Sequence, residues 1–104
     1  MRTVNVEVLK HRLRLYQLNC ELLQLLYRSS KYYPAGDPEL KERIIYANGK
    51  RNDTFEAIYN MVDDKQALLE AVLQLVNDYR SPKKQMWYYE VALHIEKNMK
   101  LRKE

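Results

Sequence analysis

Two pairs of acids one helical turn apart, Glu39-x-x-Glu42 and Asp53-x-x-Glu56, are the residues whose type and spacing come nearest to a chemical site. Positions i and i+3 of a helix share a face, so either pair could turn two carboxylates toward one divalent cation. Helix starts account for the same residues more simply. Glu39, Asp53 and Glu56 fall in expected first turns, where capping and the helix dipole favour carboxylates. The other reactive types are scattered. His11 and His94 are lone and far apart, in no ligand spacing, and Cys20 sits in a run of leucines where a free thiol behaves as a small hydrophobe. Asn48-Gly49-Lys50-Arg51 is a glycine turn in basic company but not a phosphate loop. The reading is therefore of a non-enzyme, with no catalytic, metal or cofactor residue and no small-molecule substrate.

The elements that must carry any surface are helices. The chain has 104 residues, 46% apolar and 31% charged, with two glycines and three prolines. That composition suits one helical domain with its own core. No apolar run reaches the ~18 residues of a membrane span, and the N-terminus lacks a signal-peptide core. A single cysteine excludes an internal disulfide or a thiolate zinc cage, so a reduced, cytoplasmic protein is expected. The net charge of +4 is unevenly spread. Residues 1–51 hold ten Lys/Arg against five Asp/Glu, residues 52–79 one against six, and residues 80–104 seven against three. A basic–acidic–basic chain can neutralise itself, which weakens any inference from charge to nucleic acid.

Punctuation predicts an all-α antiparallel bundle with no sheet. Helix 1 covers about 5–32 and stops before Pro34-Ala35-Gly36-Asp37. Asp37-Pro38 then opens helix 2, which ends at Asn48-Gly49, so it covers about 38–48. Asp53 with Glu56 forms a capping box opening helix 3, about 53–79, and Asp63 with Gln66 forms a second box, so the bundle has four helices, or five if helix 3 breaks near 63. Ser81-Pro82 starts helix 4, about 82–99, with a basic tail at 100–104.

Helix 1 is apolar on two opposed sides. Leu9, Leu13, Tyr16, Cys20, Leu23 and Tyr27 follow a 4-3-4-3-4 heptad seam. Val8, Leu15, Leu18, Leu22 and Leu25 form a second stripe nearly opposite, with Lys10, Arg14, Gln17, Glu21, Gln24 and Arg28 between. One side needs cover beyond helices 3 and 4, and the heptad seam is the expected oligomer interface. On helix 4, Tyr88, Ala92, Ile95 and Met99 point inward. Trp87 and Tyr89 flank them as exposed shoulders, and Met86 and Leu93 lie roughly opposite Tyr88.

Nine tyrosines and one tryptophan against one phenylalanine favour rings with a polar handle, which are enriched at interfaces. Trp87, Tyr89, Tyr32 and Tyr33 are therefore candidates for a partner surface. Lys83, Lys84, Lys97, Lys100, Arg102 and Lys103 are candidates for a polyanion surface. Helix 2, the 49–52 turn and the start of helix 3 have the length of a helix-turn-helix, although DTFEAIYNMVDD is too acidic to face phosphates.

The segment LKHRLRLYQLNCELLQLLYRSSKY resembles the long first helix of the all-helical chorismate mutases, in its leucine pairs followed by Arg28. That family's chemistry also needs an arginine about seventeen residues earlier and a lysine about eleven later, places held here by His11 and Glu39, so no activity carries over. The expected function is that of a small regulatory protein, an adaptor or inhibitor, which binds itself and another protein partner. Nucleic-acid binding through helix 4 is the alternative, and a helical enzyme whose site is assembled from separate helices is a distant third.

Overall fold

The computed structural model describes residues 4–78 and 81–102. Among them are four α-helices and no strand: α1 (Val6–Ser29), α2 (Pro38–Tyr59), α3 (Lys65–Asp78) and α4 (Pro82–Arg102), with a short 3₁₀ turn at Ser30–Tyr32. Local chemistry sets the starts. The Asn5 carboxamide oxygen accepts from the Val8 amide at 3.2 Å, and an Asp37 carboxylate oxygen accepts from the Leu40 amide at 2.9 Å ahead of Pro38. These caps satisfy amides that the first turn leaves unpaired. Gly36, with φ +76°, makes the left-handed bend between the 3₁₀ turn and α2.

The boundary between the second and third helices is not where punctuation put it. Instead of segments 38–48 and 53–79, α2 runs unbroken through Gly49 to Tyr59, and the chain turns at 60–64. Asn48-Gly49-Lys50-Arg51 is thus mid-helix, and Asp53 is an interior residue rather than a cap. A lone glycine costs a helix only about 1 kcal/mol, and packing on both sides outweighs that. The break falls beside the second acidic box, yet the residue that caps α3 is Asp64, whose carboxylate accepts from the Ala67 amide at 3.1 Å. Lys65 completes the corner. Its ammonium donates to the carbonyls of Tyr59 (2.5 Å) and Val62 (2.7 Å), as a cation at a helix C-terminus should. With no turn at 49–52, the helix-turn-helix arrangement is absent.

The helices form two antiparallel hairpins. In the α1–α2 pair, Arg12 donates to the Ala57 carbonyl at 2.7 Å, and the Asn19 amide donates to the Thr54 hydroxyl at 2.9 Å. In the α3–α4 pair, the Gln85 amide donates to the Val76 carbonyl at 3.2 Å. One cluster joins them, built on Leu9, Leu13, Ile58, Val72, Val91 and Ile95. Leu23, Leu40 and Ala47 are also buried but stand outside that cluster, so the far end of the α1–α2 hairpin has only a thin core of its own. The result is elongated. The extents are 53 × 32 × 21 Å, and the radius of gyration is 15.5 Å. A compact domain of this length would have about 13 Å. The smallest dimension is two helix diameters.

Gly49 tests the continuous α2. A Cβ added there meets nothing within 4 Å, and its φ is not in the left-handed region. Gly49→Ala should therefore stabilise the chain by roughly 0.5–1 kcal/mol, read as a higher denaturation midpoint. A lower midpoint would restore the turn at 49–52.

Candidate functional site

Three places hold the residues singled out above: the outer side of α1, the back of α4, and a cleft where α1, α2 and α4 meet. The inner seam of α1 is spent on the chain's own core. Leu9, Leu13, Tyr16, Cys20 and Leu23 are all at most 4% exposed, so these five cannot be an oligomer interface. The α3–α4 hairpin covers that side instead. Tyr27, the last member of the seam, lies beyond the main cluster and is exposed.

The opposed stripe is the one left open. Leu15, Leu18, Leu22 and Leu25 are 41–60% exposed, and Val8 is exposed beside them. Tyr46 of α2 extends this face, lining a groove of about 370 Å³ with Leu22, Leu26, Glu42 and Arg43. Tyr32 is exposed past the end of α1, and Tyr33 is at the margin of exposure. A Lys31 ammonium lies 5.1 Å from the Tyr32 ring centre.

On α4 the tryptophan is core. Trp87 is 6% exposed and belongs to the central cluster, as does Tyr88. The shoulder that carries Trp87 also carries His94, which meets Phe55 of α2 edge-on at 5.9 Å. The α1–α2 hairpin therefore covers that shoulder, and the buried arc of α4 is wider than one seam. The Trp87 indole N–H is buried without a hydrogen-bond acceptor, so the site values its apolar area over its polar handle. Tyr89 is exposed as expected, and with Met86 and Leu93 it forms a small apolar patch on the back of α4.

Three of the polyanion candidates, Lys97, Lys100 and Arg102, have described side chains, and of these Arg102 is not a free cation. Arg102 is bound within the chain, since its guanidinium donates to both carboxylate oxygens of Glu56 and to the Asn98 amide oxygen, the latter at 2.9 Å. It also lies 4.3 Å from the Tyr59 ring centre. Lys97 is exposed, and Lys100 lies 3.9 Å from Glu96. Lys83 and Lys84 fall in the first turn of α4, but their side chains lie outside the described residues, as does Lys103.

The cleft, about 350 Å³, gathers the chain's polar chemistry. Tyr16 lies at its base, with Arg51 and Glu56 on one wall and Glu90, His94 and Arg102 on the other. Sequence reasoning reached some of these one at a time, Tyr16 as an interface residue, Glu56 in an acid pair, His94 as a lone histidine and Arg102 as a phosphate contact, but never as one site. The residues come from three helices, and no local spacing could have grouped them. Most are engaged with one another. The Arg102 guanidinium holds the Glu56 carboxyl below its ordinary value. His94 reaches Glu90 at 3.5 Å, and Arg51 donates to the Asn48 side chain at 2.6 Å. Burial pushes the Cys20 thiol up to about 11 and raises the Tyr16 phenol, so neither is an activated nucleophile at neutral pH. The arrangement works as a polar clasp between α2 and α4. Of the sequence-level acid pairs, Glu39 bonds Arg43 at 2.8 Å and Glu56 serves the clasp.

The clasp has a pH signature. A carboxyl whose folded pKa lies below its unfolded value stabilises above the unfolded pKa, and that stability is lost as pH falls through the folded value. Arg102→Gln should cost roughly 0.5–1 kcal/mol at neutral pH, a modest figure because both partners are partly exposed to water. The gap between wild type and variant should close as pH falls below the ordinary glutamate range and through the lowered Glu56 value. A gap independent of pH would assign the effect to the Tyr59 ring contact instead. No protein-family model, curated protein or solved structure matches this chain, so the surfaces described here are its functional evidence.

Proposed function

We propose that this chain is a small non-catalytic interaction protein that works as a homo-oligomer and regulates a protein partner as an adaptor or inhibitor. The observation that carries the reading is the row Leu15, Leu18, Leu22 and Leu25, left open to water while the opposite side of the same helix is sealed. Scattered surface leucines are ordinary, whereas a continuous apolar row on one rigid helix marks a place where another surface sits. The cleft supports the non-catalytic part, because its ionisable groups are largely paired with each other rather than poised. No helix of the described residues is long and apolar enough to cross a membrane. Nucleic-acid binding through α4 loses its best cation, since Arg102 is held by Glu56.

The two sides of α1 respond differently to charge. Leu22→Glu, on the open row, should leave the circular dichroism spectrum and melting temperature nearly unchanged while weakening self-association at least tenfold in sedimentation velocity. Leu13→Glu buries a carboxylate in the core and should unfold the chain. Equal association by wild type and Leu22→Glu would remove the open row as the contact.

A further inference from the structure

The open row of α1 is bordered by a second pattern that specifies what covers it. Glu7, Arg14, Glu21 and Arg28 recur every seven residues with alternating sign, along the edge of the row away from α2. A residue seven positions on returns to nearly the same helix face, drifting by only ~20° per heptad, so these four side chains form one line beside the leucines. The leucine row drifts at the same rate.

We infer that the occupant is a second copy of this chain, packed with its α1 antiparallel across the open row about a two-fold axis near Leu18. This deepens the self-association reading above and rests on it. When two helices pair antiparallel about such an axis, each flanking line faces itself reversed. A register centred near Leu18 sets Glu7 against Arg28 of the other copy and Arg14 against Glu21 of the other copy. Every facing pair is then of opposite sign. The same register places Leu18 next to its own counterpart and Leu15 against Leu22 of the other copy, so charge and packing agree on one alignment. Parallel pairing would instead set this line against the opposite flank of the row, the side on which Arg12 and Asn19 are bonded to α2, where no complementary line of charge meets it.

Area is consistent with this occupant. The exposed fractions of Val8, Leu15, Leu18, Leu22, Leu25 and Tyr46 amount to roughly 600 Å² per copy, hence roughly 1,200 Å² in total, the lower bound of standard specific interfaces. That size suits a reversible dimer rather than an obligate one. The pairing is made beside in-chain contacts of the same residues. Glu7 is exposed and shared with Lys10 at 3.7 Å, a contact that exchanges readily with water. The half-buried Glu21, which accepts from the Gln17 amide at 3.1 Å among its in-chain contacts, has a second carboxylate oxygen with which to meet Arg14 of the other copy.

The test uses the full chain with Cys20→Ser, so that an introduced thiol is the only one. Leu18→Cys should oxidise to a disulfide-linked dimer in high yield. Leu25→Cys should not link, because antiparallel copies place its two sulfurs roughly 20 Å apart along the axis. Efficient linking at both positions would mean parallel pairing, and linking at neither while the mass stays dimeric would mean another contact face. Either result overturns the alignment and leaves self-association standing, whereas a wild type that is monomeric at high micromolar concentration overturns both. Charge reversal gives an independent arm. Arg14→Glu should weaken the dimer about fivefold or more, and Arg14→Glu with Glu21→Arg should restore it to within about twofold. Failure of the double reversal to restore affinity overturns the alignment.

Discussion

One constraint governs the rest of the structure: α1 is apolar on two opposed sides, and the molecule is only two helices thick. In its smallest dimension of 21 Å there is room for a partner on one side of α1 and none on the other. The chain places α3 and α4 over the seam of Leu9, Leu13, Tyr16 and Cys20, where side chains interdigitate to near-complete burial. What remains is a rigid helix whose back is leucine. At about 25 cal/mol per Å² of apolar surface removed from water, an open row of that kind is a standing driving force for association. The conversion is never complete, because ordering two copies costs several kcal/mol.

The polar clasp has its place in the same logic. α2 is long, and only its second half meets α4. Tyr59 anchors that end, with Lys65 4.4 Å and Arg102 4.3 Å from its ring centre, while Glu56 fixes Arg102 from the neighbouring turn. With one end of the α1–α2 hairpin bound firmly, its other end projects on the thin core of Leu23, Leu40 and Ala47. A two-helix projection of this kind has little to hold it alone, since short helices are marginal in water without tertiary packing. A second copy laid along α1 would brace it.

Much of this was legible in the sequence, and the failures share a cause. Helix content, the cap at Asp37, the start of α4 at Pro82, and the double-sided α1 follow from short-range rules that hold wherever the chain goes. The boundary at residue 49 did not, because an Asn-Gly pair is a turn signal only when nothing packs over it. Here Ala47 is buried on one side, and the Asn19–Thr54 hydrogen bond spans to α1 on the other. Trp87 was misplaced for a related reason. Heptad spacing finds the centre of a buried arc but not its width, and α4 is packed both by α3 and by the α1–α2 hairpin. The choice between the two sides of α1 was equally beyond periodicity, since both stripes are apolar and only the fold decides which is filled. The cleft was invisible because its residues come from three helices.

The central claim is that the row from Leu15 to Leu25 is covered by a second copy of the chain. Light scattering on the wild-type protein across a dilution series tests it most directly. The account predicts a mass of twice 12.6 kDa at tens of micromolar, falling toward 12.6 kDa on dilution. A mass that stays at 12.6 kDa throughout would contradict it.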